Sequence, residues 1–114
     1  MLPEQPAKLL RILIAESDRY GGKSLYEAIV DKCREMKIAG ASVFRGLEGY
    51  GETAEIHRHR LTRHDQPILI SIVDTADNVA RLTPAVEEML DTGLIAISDV
   101  QVVRVQKKAP QAAP

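Results

Sequence analysis

The chain has 114 residues, 45% apolar and 27% charged, the composition of one globular domain rather than of a disordered chain. Fifteen basic residues against sixteen acidic ones leave a formal charge of −1, which excludes the basic footprint of a nucleic-acid binder. A single cysteine, Cys33, excludes an internal disulfide. No apolar run nears the roughly 20 residues of a membrane span and no signal-type leader is evident, so a cytoplasmic location is expected.

In chain order, residues 8–15 (KLLRILIA) form an apolar run of strand length. Turn chemistry follows in 17–23, with Asp18 and the pair Gly21-Gly22. A helix is predicted over 24–37, with Leu25, Ile29, Cys33 and Met36 on one face, Ser24 and Glu27 at capping-box spacing, and Ala39-Gly40 ending it. A second strand is expected over 41–47, loosened at its far end by Gly46, Gly49 and Gly51. Residues 50–66 are polar and without period. Pro67 opens a third strand, ILISIV, that ends at Asp74. The second helix is expected over 75–91, with Val79, Leu82, Val86 and Leu90 on one stripe, a kink at Pro84 and Gly93 as its cap. The last strand is expected within 100–105.

The order β-α-β-β-α-β implies an α+β, ferredoxin-like two-layer sandwich. The expected organisation is a flexible N-terminus over 1–7, the domain over 8–106 and a flexible tail over 107–114. Two helices cover only one face of a four-stranded sheet, yet the first and third strands are apolar on both parities. Leu9 and Leu13 accompany Leu10, Ile12 and Ile14, while Leu69 and Val73 accompany Ile68, Ile70 and Ile72. The second face needs cover, which predicts a homo-oligomer.

Four segments carry candidate chemistry. SDRYGGKS (17–24) approaches the phosphate loop G-x-x-x-x-G-K-[ST], with Gly22, Lys23 and Ser24 in place but Ser17 at the first glycine. A turn leading into a helix is the alternative. RGLEGYG (45–51) brings three glycines to a strand end, where a backbone or a ligand can approach closely; a glycine-rich bulge is the alternative. IHRHRLTRH (56–64) joins His57, His59 and His64 to Arg58, Arg60 and Arg63 with no acid. Arginine forks suit an anion or an acidic partner, and His57 and His59 could be two legs of a metal site, but no third ligand is evident; a solvated, functionally silent loop is the alternative. Glu16, Asp18 and Asp74 flank strand ends as carboxylates for turns, caps or acid–base work. Cys33 lies on an apolar stripe and is expected to be buried and structural. No nucleophile–base set is visible, so no catalytic residue is assigned.

The blocks RILIAESDRYGGKSLYEAIV, IAGASVFRGLEGYG and ILISIVDT resemble a family of PII-like signalling proteins long catalogued as a domain of unknown function. GASVFRGLEGYG is the most specific piece, similar to the family's G-A-[ST]-V-x-R-G-x-x-G-[FY]-G. The resemblance spans 8–105. It implies a ferredoxin-like protomer assembled as a homotrimer with its sheets lining the centre. It also implies a non-enzymatic signal-transduction role. A small anionic effector, an adenine nucleotide, would bind in intersubunit clefts with no cofactor required. A T-loop, here 50–66, would contact a regulated partner of the transporter or channel class. Ligand candidates implied are Arg45, Gly49, Tyr50, Gly51 and Arg104, with Glu16 and Lys23 behind them; the partner-binding loop would carry His57, Arg58, His59, Arg60, Arg63 and His64. Two features depart from other PII proteins. No tyrosine lies between Glu52 and Gln66 for covalent modification, and the segment after Gly93 (LIAISDVQVV) lacks the phosphate-binding lysine. The second favours a smaller adenine nucleotide over a triphosphate. The alternative is a trimeric metal-binding protein of the divalent-cation-tolerance type using His57, His59 and His64. A third reading is nucleotide hydrolysis at SDRYGGKS through Lys23.

Overall fold

The computed structural model describes residues 6–46 and 65–107. Residues 47–64, which hold Gly49 and residues 50–64 of the expected 50–66 loop with Tyr50, Gly51 and all three histidines, lie outside the described residues, as do 1–5 and 108–114 of the expected tails.

Four strands form one antiparallel sheet: β1 (Ala7–Ala15), β4 (Ser42–Arg45), β5 (Pro67–Thr75) and β6 (Leu94–Val100), in the spatial order β4-β5-β1-β6. Two helices, α1 (Leu25–Glu35) and α2 (Ala76–Met89), complete the β-α-β-β-α-β order. A small hairpin of β2 (Arg19–Tyr20) and β3 (Lys23–Ser24) is inserted before α1. This is the ferredoxin-like arrangement the element order predicts. β1 lies inside the sheet: it pairs with β5 from Ala7↔Thr75 to Ala15↔Pro67 and with β6 from Ala7↔Val100 to Leu13↔Leu94.

Strand period 2 and helix period 3.6 converge on one core. Leu10, Ile12 and Ile14 of β1 stand opposite Ile72, Ile70 and Ile68 of β5, and all six are buried. α1 covers them with Leu25, Ala28, Ile29 and Cys33, and α2 with Val79, Leu82, Val86 and Met89. Burial pushes the Cys33 thiol up, away from thiolate chemistry, as its apolar stripe implies.

Several boundaries differ from the expectations, each for a local reason. The last strand is Leu94–Val100, not 100–105. Its ladder with β1 ends at the Ala7↔Val100 pair, level with the start of β1. α1 ends earlier than residue 37, in a Schellman motif: Ile38 N–H donates to Cys33 O at 2.9 Å and Lys37 N–H to Arg34 O at 3.1 Å. Lys37 takes the left-handed conformation (φ 61°) that a glycine commonly fills there, so the stop signal is not Ala39-Gly40. Ser24 is the N-cap of α1, but its hydroxyl makes no capping bond, so the predicted capping box is not formed. α2 starts on Thr75, whose Oγ1 accepts from Asn78 N at 3.1 Å. Pro84 lies inside α2, and the helix runs on past it to Met89. The cap of α2 is Leu90, not Gly93. Gly93 instead opens β6 at φ 146°, where a Cβ would sit 2.9 Å from Leu13 O. Close approach to β1, rather than helix termination, requires that glycine.

The helix-free face is apolar, as the double parity of β1 and β5 implies. Register puts Phe44, Leu69, Leu13 and Leu94 in one row across all four strands, and Val73 and Leu9 in another. Phe44 is 53% exposed, and Val73 and Leu94 are exposed as well. Between these rows lie Ser42, Ser71, Arg11 and Ala96.

Candidate functional site

The sheet fold brings together the residues on either side of the 47–64 segment. β4 ends at Arg45 and β5 begins at Pro67, and the two strands are neighbours with Arg45 opposite Ile68. Gly46 N–H donates to Pro67 O at 2.7 Å, extending the ladder one step beyond β4. A Cβ on Gly46 would lie 2.8 Å from Pro67 Cγ, so the stems close only because this position has no side chain.

Glu16, just past the end of β1, ties both stems. Its backbone N–H donates to Gln66 O at 2.9 Å. One carboxylate oxygen, Oε1, accepts from Gln66 N–H at 3.4 Å, and the other, Oε2, pairs with Arg45 Nη2. The Arg45 side chain is 57% exposed and the Glu16 side chain 21%, so the guanidinium faces solvent from the wet end of this pair. Next to it, Ser17 N–H donates to Asp65 Oδ1 at 3.0 Å. Asp65 is 5% exposed, and its second oxygen Oδ2 is buried without a hydrogen-bond partner among the described residues. Neither Asp65 nor Gln66 was a ligand candidate on the sequence. Their local pattern, a polar pair before a proline, carries no periodic signal, and only the return of the chain beside β1 gives them partners.

The other sequence candidates lie elsewhere. Lys23 pairs with Asp31 of α1, which also accepts from Arg34 at 3.1 Å. The hydrogen bond from Lys23, with the charges of Lys23 and Arg34, holds the exposed Asp31 carboxyl below the usual carboxylate range. Residues 19–24 form a hairpin. Gly21 (φ 57°) and Gly22 (φ 84°) make the two-residue turn of the β2–β3 hairpin, a geometry that needs left-handed backbone at both positions. Arg19 Nη2 donates to Gly22 O at 2.8 Å across that turn. Arg104 stands in the exposed stretch 101–107 after β6. Asp18 has a turn role: its Oδ2 accepts from Ala15 N–H at 3.0 Å, and its carbonyl from Leu25 N–H at 2.8 Å.

Asp74 is structural rather than acid–base. Oδ2 accepts from Ala39 N–H at 2.8 Å, and Oδ1 from Thr75 N–H at 2.7 Å and the Asn78 amide at 2.9 Å. Burial, the largest single influence, works against its charge. The bonds from Ala39, Asn78 and Thr75 together with the Arg81 charge outweigh it and hold the carboxyl below its ordinary range.

Among the described residues no group of three His, Cys, Asp or Glu side chains could hold a metal ion, and no helix is long and apolar enough to cross a membrane. The histidine segment, and with it the metal alternative, lies outside the described residues.

Comparison with known proteins agrees with this architecture. The family described as Uncharacterized ACR, DUF190, matches residues 7–102. A UPF0166 protein of Aquifex aeolicus is 35% identical over 98 residues, covering 84% of this chain and 92% of its own length. The structure of CPII, a nitrogen regulatory PII-like protein from Thiomonas intermedia K12, bound to ADP, AMP and bicarbonate, superposes with a TM-score of 0.58 at 22% identity. That match covers 90% of this chain and 96% of CPII. The divalent ion tolerance protein CutA1 from Ehrlichia chaffeensis superposes with a TM-score of 0.57 at 15% identity, covering 90% and 87% of the two chains. At these identities the structural matches speak for the fold, while the family and sequence matches speak for descent. The chain belongs to the DUF190 (UPF0166) family, built on the PII-like fold that its sequence blocks resemble.

Proposed function

We propose that this protein is a non-enzymatic PII-like signalling protein. A small anionic effector, an adenine nucleotide, binds in clefts between subunits, and the 50–66 segment carries the signal to a partner of the transporter or channel class. The observation that supports this reading is the setting of Arg45. It is a solvent-facing guanidinium at the mouth of that segment, on a fold shared with a protein whose structure holds ADP and AMP. Guanidinium forks match phosphate oxygens bidentately. Gly49, Gly51, Tyr50 and Arg104 would complete the site, the glycines by admitting the ligand close to the backbone and Tyr50 by stacking on the base.

A homotrimer is part of the same reading. The row Phe44, Leu69, Leu13 and Leu94 leaves a helix-free sheet face that a second copy would cover. Isothermal titration of ATP, ADP, AMP and cyclic nucleotides tests the effector. Binding tighter than about millimolar, lost in Arg45→Ala, is expected; no binding by any of them refutes it. The fold likeness to CutA1 keeps a metal reading in view. Divalent metal retained stoichiometrically after purification and lost in a His57→Ala/His59→Ala variant would favour that reading instead.

A further inference from the structure

Among the described residues, Arg45, the group suited to hold a phosphate at the mouth of the segment, is not idle. Arg45 Nη2 is already engaged by Glu16 Oε2, and the same carboxylate accepts from Gln66 N–H at 3.4 Å through its other oxygen. Glu16 is also the better buried partner, 21% exposed against 57% for Arg45. A phosphate reaching Arg45 from solvent would therefore meet a guanidinium whose Nη2 edge is taken by an internal anion. Two anions cannot share one fork without repulsion, so a carboxylate held beside a phosphate is penalised.

We propose that the Glu16 carboxylate is a built-in competitor for the anion that Arg45 binds, so that ligand binding and the Glu16 tie between residues 45 and 66 exclude each other. Glu16 then opposes the ligand instead of contributing to the site. Displacing it from Arg45 also loosens the Oε1 contact with Gln66 N–H, which transmits occupancy at one stem to the other. Backbone geometry supports the economy of the device. Glu16 N–H to Gln66 O and Gly46 N–H to Pro67 O are main-chain bonds that persist when the side chain swings away. The stems thus stay paired while the charge tie opens. The inference rests on the effector reading above, and its sign is its own: removing the Glu16 charge must strengthen binding.

The experiment is calorimetric titration of ADP, AMP and inorganic pyrophosphate into the full chain, its Glu16→Gln, Glu16→Asp and Arg45→Gln variants, and the double variant Glu16→Gln/Arg45→Gln. Glu16→Gln should bind the nucleotide about threefold to tenfold more tightly, the range set by freeing a partly exposed ion pair. Glu16→Asp, one methylene shorter and the milder change to the fold, should lie between it and the wild type. The gain should vanish in the Arg45→Gln background, which separates competition at Arg45 from a general loss of negative charge. Amide exchange at Gln66 should quicken on adding ADP to the wild type and be fast in Glu16→Gln without ligand. Wild-type binding with equal or weaker binding by Glu16→Gln and Glu16→Asp overturns the competition while leaving the nucleotide reading standing. If no adenine nucleotide binds but pyrophosphate binds Glu16→Gln more tightly than wild type, the nucleotide reading falls and the competition stands for another anion. No binding of any of the three to any form overturns both.

Discussion

Removing the Asp74 carboxylate tests how this fold fastens its helix layer to its sheet. Asp74 reaches back 35 residues to the Ala39 N–H and holds the start of α2 through Thr75 N–H and the Asn78 amide. Three hydrogen bonds to a charged acceptor at a net of about 0.5–1.5 kcal/mol each, discounted because the Ala39 bond is exposed, give about 2 kcal/mol for Asp74→Ala. For 114 residues at roughly 2.1 cal/mol/K of unfolding entropy each, that loss lowers Tm by about 8 °C. The loss should also depend on pH. Because the folded carboxyl is held below its ordinary value of about 3.9, its charge stabilises the fold above that pH. That contribution is lost as pH falls through the lower, folded value. Urea unfolding followed by far-ultraviolet circular dichroism, at one fixed protein concentration, should show the gap between wild type and Asp74→Ala widest near pH 7 and narrowing below about pH 4. A gap below about 0.5 kcal/mol at pH 7, or one unchanged from pH 7 to pH 3, would refute the assignment.

Gly93→Ala should destabilise by about 1–3 kcal/mol, because its Cβ would enter the space of Leu13 O at a backbone angle L residues avoid; thermal melts decide this, and an unchanged Tm would contradict the close-approach argument. Lys37→Gly should do the reverse and raise stability by about 0.5 kcal/mol, since glycine meets the left-handed turn of the Schellman motif without a Cβ penalty. Leu69→Asp, in the middle of the apolar row on the helix-free face, should convert the expected oligomer to monomer in sedimentation velocity while circular dichroism stays folded. A wild-type monomer at micromolar concentration would remove the ground for covering that face.

Much of the fold follows from patterns confined to short windows. Leu10, Ile12 and Ile14, then Ile68, Ile70 and Ile72, with Leu25, Ile29 and Cys33 and with Val79, Leu82 and Val86, specify which faces must meet. Given four strands and two helices, those faces also imply an apolar sheet surface without helices, and the register of Phe44, Leu69, Leu13 and Leu94 bears this out. The limits of the last strand were not legible, because VQVVRV has as good a strand pattern as LIAISDV. The strand that forms is the one that stands in register with β1, from Leu94 opposite Leu13 to Val100 opposite Ala7. Nor could composition tell that Lys37 would take the turn at the end of α1 while Gly93 served a strand, since both roles depend on what lies across the chain.

The same division runs through the candidate site. The residue types Arg45, Gly46 and Glu16 stand out in the sequence as strand-end chemistry, and their family blocks single them out further. That Glu16 pairs with Arg45, 29 positions away, and that Lys23 pairs with Asp31 instead, could not be read there. Side-chain pairing follows distance in space, and antiparallel pairing of β1, β5 and β4 is what carries Glu16, Gln66 and Arg45 to one end of the sheet. Sequence alone determined which surfaces are apolar and which residues could bind an anion. The tertiary structure decided which cation is tied to a buried-side carboxylate, because only closure of the sheet brings opposite charges from distant segments within reach of each other.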